Sequence, residues 1–225
     1  MDEPVEYVEI ARHESPRGEL VLRERRSPGA NPVLELRANG IFVMDTLETG
    51  SERAMATAAL AVVPEPRRVL VGGLGLGFTT AEVLADPRVE ACTVVEIEQA
   101  LVDWMRDGTI GHGPRLLAAD RLQVVVNDVS RAIAEATGAP YDVVLLDVDN
   151  GPGYLVHQTN AALYRRPFLA AARAVTAGAL VIWSAAAAPE LEADLRGVFG
   201  NAEAVRHDVL LQGREEEYWL YVARR

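Results

Sequence analysis

Residues 69–80 read VLVGGLGLGFTT: a short apolar run, then glycine at 72, 73, 75 and 77, then a stretch that suits a helix. A buried strand that breaks into glycines and restarts as a helix is the turn by which an open α/β sheet presents its carboxyl edge to a ligand. Glycine at Gly73, Gly75 and Gly77 lets backbone approach that ligand closely and lets the next helix start tight against the strand. A dinucleotide fingerprint needs a third glycine three places after the second. Those places hold Phe78, counted from Gly75, and Thr80, counted from Gly77. The observed G-x-G-x-G spacing suits a nucleoside without a pyrophosphate, with S-adenosylmethionine (AdoMet) the leading case.

Outward from this turn, short β runs alternate with helical patterns. RVLVGG, ACTVVEI, LQVVV, YDVVLLD, ALVIWSA, AVRHDVLL and EEYWLYVA read as strands; helices are expected near 78–85, 98–107, 128–137, 159–175 and 188–199. Buried strands interleaved with helices predict a mostly parallel, seven-stranded sheet covered on both faces, with an antiparallel ending where two strands follow closely. Residues 5–45 differ: EYVEIAR, GELVLRER, PVLELRA and GIFVMDT alternate in strand fashion, and Asn39-Gly40 is a tight-hairpin signal. A small antiparallel β layer over 1–50 thus precedes an α/β domain over 51–225, which opens with SERAMATAALAVV, a helix expected to be capped by Ser51.

Composition narrows the function. The chain has 225 residues, 49% of them hydrophobic, enough for one large core with a small appendage. No apolar run is long enough to span a membrane, and the acidic start MDEPVEYVEI does not resemble a secretory leader, so a cytoplasmic protein is expected. A net charge of -11 repels phosphate backbones and argues against nucleic acid as partner. All 22 basic residues are arginine. That removes the Schiff-base lysine of pyridoxal-phosphate enzymes and the phosphate-gripping lysine of a P-loop. The single Cys92, in an apolar run, forms no internal disulfide or metal cluster and reads as a small core residue; no metal is expected.

Two acids support a bound nucleoside. Glu96 ends the second strand of the α/β region, where a carboxylate accepts hydrogen bonds from both ribose hydroxyls. Asp128 follows the third, where it accepts from the adenine amino group, with Ile97 and Val129 beside these acids against the same nucleoside. Each such charge-assisted bond contributes about 1.5–3 kcal/mol. At the mouth of the next strand stands Asp147, placed to hold an amine nucleophile and take its proton. Asp149 follows it, and the long loop GPGYLVHQTNAALY carries His157, a candidate acid or base. Glu48 and Glu52 flank the start of the first helix and are candidates to face the same pocket.

These residues resemble the polyamine aminopropyltransferases, the spermidine synthase family. The family pattern VLVIGGGDGG…EVL…P.VE.VT..EID is matched without a gap by VLVGGLGLGFTTAEVLADPRVEACTVVEIE, and YDVI..DSSDP.GP is matched in position by YDVVLLDVDNGPG. The resemblance covers roughly residues 15–185. It implies a Rossmann-like class I methyltransferase fold behind a β-strand preface, a small-molecule substrate, and a homodimer. It also implies Glu96 as ribose ligand, Asp128 as adenine ligand, and Asp147 as the acid between donor and attacking amine.

The chain departs from that pattern at three places. Leu76 stands where the family's aspartate grips the ammonium of the donor's aminopropyl arm. Asn150 stands where a second aspartate anchors the acceptor, and SERAM replaces a tyrosine-containing helix start of the YHEM kind. Without these charges a dication is poorly held, which argues against a housekeeping spermidine synthase. The expected function is transfer of the aminopropyl or aminocarboxypropyl arm of AdoMet, or of its decarboxylated form, to an amine or carbon nucleophile, with release of 5′-methylthioadenosine. The alternatives are cyclisation of the donor's own arm, methyl transfer to a small molecule, and AdoMet binding without catalysis.

Overall fold

The computed structural model describes residues 5–137 and 139–225; residues 1–4, which the sequence reading assigned to the N-terminal layer, lie outside the described residues. Strands β1 (Glu6–Ser15), β2 (Gly18–Arg26), β3 (Val33–Ala38) and β4 (Ile41–Asp45) pair in chain order as an antiparallel meander. At the β3–β4 corner Asn39 and Gly40 both have positive φ, 52° and 75°, the backbone of a two-residue hairpin turn matched to the twist of its strands. The Asn39 side chain is used as well: Oδ1 accepts from the Glu19 N–H at 3.0 Å, tying this corner to the start of β2.

Helix α1 (Gly50–Val62) follows, and Ser51 does not cap it. The cap position is Thr49, whose side chain makes no capping bond, and Glu48 Oε1 takes the Gly50 N–H at 2.7 Å. Ser51 lies inside the first turn and is buried beside Glu52, whose carboxylate is the stronger acceptor. Its hydroxyl donates there, at 2.8 Å.

The remaining elements are β5 (Arg68–Gly72), α2 (Phe78–Ala85), β6 (Ala91–Glu96), α3 (Gln99–Asp107), α4 (Gly113–Leu117), β7 (Leu122–Val126), α5 (Val129–Ala134), β8 (Tyr141–Leu146), a 3-10 helix (Gln158–Tyr164), α6 (Arg166–Val175), β9 (Thr176–Ser184), α7 (Pro189–Phe199), β10 (Glu203–Leu211) and β11 (Arg214–Arg224). Two details differ from expectation. The helix expected over 159–175 is broken at Arg165, which is extended (φ −110°, ψ 154°), because Pro167 favours the first turn of a new helix rather than the interior of an old one. Helix α4 is only five residues long, too short for an apolar period to announce it.

The seven-stranded sheet has the order β10-β11-β9-β8-β5-β6-β7. Strands β5 to β9 are parallel, and β11 pairs antiparallel with both of its neighbours, so it alone runs against the rest. Chain order reverses between β5 and β8, which is where open α/β sheets bind ligands. Alternate residues feed two cores. Val69, Val71, Val143, Leu145 and Val181 pack with α1 to α3; Leu70, Val144, Leu146, Leu180 and Ile182 pack with α5 to α7. Both faces being covered, these strands are apolar throughout, which is what made them legible as buried strands. The antiparallel sheet joins the first core through Leu20, Leu22, Leu36 and Met44, which share it with Leu74 and Leu76 of the glycine turn. It therefore covers the carboxyl edge on the α1 side.

Candidate functional site

The glycine turn folds against protein on two sides. Gly73 has φ 93°, and a Cβ there would lie 1.9 Å from the Asp147 carbonyl oxygen, so only glycine lets β5 and the end of β8 come this close. Gly75, with φ 51°, would place a Cβ 2.7 Å from Met44 Sδ. The same sulfur accepts the Leu76 N–H at 3.1 Å, and His112 Nε2 lies 2.6 Å from the Leu76 carbonyl oxygen. Met44 of β4 thus sits on the turn, and Leu76 is wholly buried in the core. Gly77, also with positive φ, is the N-cap residue of α2.

A crevice of about 150 Å³ opens at this edge, between the antiparallel sheet and the parallel one. The candidates it brings together are Gly73, Gly75, Glu96, Ile97, Asp128 and Val129 toward β6 and β7, and Glu52, Asp147, Asp149, Asn150 and His157 toward α1 and the loop after β8. Leu76, Gly77 and Glu48 are not among its lining residues. Among the described residues no group of three His, Cys, Asp or Glu side chains is placed to hold a metal ion.

At the β6 end, Glu96 is 6% exposed. Its Oε2 accepts from Leu74 N–H and its Oε1 from Glu98 N–H, each at 2.8 Å, so the strand-end acid braces the glycine turn while facing the crevice. Burial pushes its carboxyl above the usual range, and the hydrogen bonds from Glu98 and Leu74 oppose that rise. Each carboxylate oxygen has a second lone pair left for a ligand. Asp128 is exposed and caps α5: its Oδ1 accepts from Ser130 N–H at 2.7 Å and from the Ser130 hydroxyl at 2.6 Å.

At the α1 end, Asp147 extends β8 from the switch point, and Thr79 of α2 donates to its Oδ2 at 3.0 Å. Burial raises its pKa to about 6, against that hydrogen bond. Glu52, 7% exposed, is pushed to about 7, first by burial and then by repulsion from Asp147. Two acids that resist losing their protons, facing one crevice, stabilise a cation that enters between them, because the cation lets both ionise. Asp149 is committed differently. Its Oδ1 accepts from the N–H groups of Asn150 and Val156, both at 2.7 Å, and its Oδ2 accepts from Asn160 Nδ2 at 2.7 Å and His157 N–H at 3.4 Å. This carboxylate organises the loop. Asn150 Nδ2 donates to the Phe42 carbonyl at 3.3 Å, fastening the loop to β4.

Among the lining residues not singled out from sequence, three shape the crevice most. Trp183, at the end of β9, meets Tyr218 at a tilt of 59° with 4.8 Å between ring centroids, and lines the crevice. Arg17, in the β1–β2 corner, pairs with Glu98 at 3.0 Å across the rim, and His157 Nε2 lies 3.4 Å from Asn39 Nδ2. Met44 is the third. The sign that could have found Trp183 is its register: β9 pairs with β8 so that Leu146 faces Ile182, which sets Trp183 beside Asp147. Arg17 and Met44 carried no local signal, since only the folding-over of the antiparallel sheet brings them here.

The family model for the spermine/spermidine synthase domain matches residues 48–198. Polyamine aminopropyltransferase 2 of Caldanaerobacter subterraneus subsp. tengcongensis is 34% identical over 111 residues, 48% of this chain and 36% of that protein. Putrescine N-methyltransferase 4 of Nicotiana tabacum is 32% identical over 128 residues, 54% of this chain and 30% of the relative. The matched stretch spans about a third of the length of these relatives. Among solved structures, a spermidine synthase in complex with the transition-state analogue AdoDATO superimposes with a TM-score of 0.77 at 17% identity, covering 96% of this chain and 73% of that one. The spermidine synthase of Thermotoga maritima gives 0.75, also at 17%, covering 96% of this chain and 72% of that one. At this identity the likeness shows the fold.

Proposed function

The chain belongs to the spermine/spermidine synthase family, and from that premise we propose that it is a transferase for the alkyl arm of a sulfonium nucleoside. AdoMet or its decarboxylated form lies along the crevice, and an amine or carbon nucleophile takes the arm, displacing 5′-methylthioadenosine from it. One observation carries this reading: the Asp147–Glu52 pair beside the glycine turn, a buried and a half-buried acid at the topological switch point with nothing cationic set against them among the described lining residues.

The proposed placement follows the strand ends. Glu96 takes the ribose hydroxyls on its remaining lone pairs, Asp128 takes the adenine amino group on Oδ2, and Ile97 and Val129 flank the ring. Gly73 and Gly75 lie along the sulfonium arm. Leu76 offers that arm no charge, and Asp147 and Glu52 stand beyond it, where the nucleophile enters. The antiparallel layer, residues 1–50, serves as the cover, and residues 51–225 carry the chemistry.

In the reaction the nucleophile's lone pair forms the new bond to the arm carbon, and the C–S bond breaks with its electrons returning to sulfur. The sulfonium becomes a neutral thioether. An attacking amine must be neutral, whereas a free alkylammonium has a pKa near about 10. Asp147, as carboxylate, receives the proton that the new ammonium sheds. Holding donor and nucleophile in line supplies about 7–11 kcal/mol of the barrier reduction.

A second reading draws on the putrescine N-methyltransferases among the similar proteins: the same donor with its methyl group turned to the nucleophile. The released thioether separates the two. The protein is incubated with AdoMet and, separately, with decarboxylated AdoMet, with and without amines, and the adenosine product is identified by mass spectrometry. Methylthioadenosine is expected; S-adenosylhomocysteine would establish methyl transfer instead.

A further inference from the structure

We infer that the acceptor is a molecule with a single protonatable amine on an apolar body, not an α,ω-diamine. The inference rests on the reading above, that the Asp147 end of the crevice receives the nucleophile. It comes from what the acids near that end are doing. A diamine needs two anionic contacts separated by its own length. The resemblance places the second anchor at Asn150, an uncharged amide that has turned away to donate to the Phe42 carbonyl at 3.3 Å.

Its neighbour Asp149 cannot substitute. Four donors from its own loop, the Asn160 amide among them, occupy both of its oxygens. Glu48 does not line the crevice, and its Oε1 is engaged by the Gly50 N–H at 2.7 Å. At this end one place therefore remains for a positive charge, between Glu52 and Asp147.

The surroundings of that place are apolar. Trp183 lines the crevice together with Glu52, and Tyr218 meets the indole ring at a tilt of 59°, 4.8 Å between ring centroids. Val43 and Met44 of β4 close the opposite wall. A second ammonium pushed along these surfaces would lose its water and meet no counter-charge. A hydrocarbon or aromatic ring would gain from the same burial.

The test uses the whole chain with methylthioadenosine filling the nucleoside end, and titrates phenethylamine and putrescine by calorimetry at about pH 8. Phenethylamine is expected to bind at least about tenfold tighter than putrescine. Asn150→Asp, checked for an unchanged fold by its melting profile, is expected to strengthen putrescine by about fivefold or more and to leave phenethylamine nearly as it was. Glu52→Gln, which keeps the side-chain shape, is expected to weaken both amines by at least about tenfold. Putrescine binding as tightly as phenethylamine in the parent protein overturns the inference, and so does indifference of both amines to Glu52→Gln. If methylthioadenosine itself does not bind, the nucleoside reading of the crevice fails first and the inference falls with it. Bound nucleoside with no preference for the monoamine refutes the inference alone.

Discussion

The two ends of the crevice are built by different means. At the β6 end each candidate side chain stands at or just past the end of a parallel strand: Glu96 closes β6, and Asp128 follows β7 by two residues. The sheet fixes their spacing, and the local backbone holds them, through the Leu74, Glu98 and Ser130 N–H groups. At the α1 end only Asp147 and Trp183 stand at strand ends. Glu52 comes from a helix, Asn150 and Asp149 from a loop, and Trp183 from a strand whose register had to be known. By the resemblance drawn from the sequence, the first end keeps the family's acids, while Leu76 of the glycine turn and Asn150 of the loop are uncharged where the family pattern is acidic. A sheet edge is a rigid rule that evolution reuses, whereas loops and helix starts are free to be rewritten.

Breaking the β6 end should give the largest effect. Glu96→Gln puts an amide where the oxygens accept two backbone N–H groups and, by proposal, two ribose hydroxyls. With charge-assisted bonds near about 1.5–3 kcal/mol each, methylthioadenosine affinity is expected to fall by about 100-fold or more, measured by calorimetry. A nucleoside bound equally well by the variant would remove Glu96 from the site.

The α1 end is sharpened by pH. Glu52 and Asp147 hold their protons more tightly folded than unfolded, with pKa values raised from 4.5 to about 7 and from 3.8 to about 6. Raised acids favour the folded state while protonated. Their contribution is complete below about pH 4 and is lost as pH climbs to about 7. For Glu52 alone the loss is on the order of 3 kcal/mol. Melting temperature without ligand should therefore fall between these limits, and Glu52→Gln should flatten much of that fall and melt higher than the parent at about pH 8. A parent whose stability does not decline across this window would show that the two carboxylates are better solvated than their burial implies. Amine binding should run the other way, strengthening as both acids ionise.

The smallest effect concerns the rim. Arg17 and Glu98 are partly exposed, so Arg17→Ala should change stability by less than about 1 kcal/mol. Because their bridge joins the β1–β2 corner to the start of α3 across the crevice, the variant should release methylthioadenosine several-fold faster in stopped-flow displacement. Unchanged release would leave the pair as surface electrostatics only.

Much of this was readable along the chain. Apolar runs of strand length, the glycine turn, Asn39-Gly40 and the strand-end acids each carry a local signal, because strand pairing and backbone dihedrals depend on neighbours a few residues apart. Other features carried none. Ser51 reads as a cap and is not one, since the buried Glu52 carboxylate competes for its hydroxyl. The glycines read as room for a ligand. In the structure Gly73 makes room for the Asp147 carbonyl and Gly75 for the Met44 sulfur, contacts between segments 74 and 31 residues apart.

The sequence by itself determined the order of the strands and the row of acids, Glu96, Asp128 and Asp147, along their carboxyl edge, because a parallel sheet places its strand ends in one row whatever the rest does. The tertiary structure decided how the antiparallel sheet folds over that row, that Glu52 faces Asp147, and that Asp149 and Asn150 spend their polar atoms on the loop and on β4. Hydrogen-bond capacity and charge are shared among whatever groups packing brings together, and no stretch of sequence states in advance which group will win them.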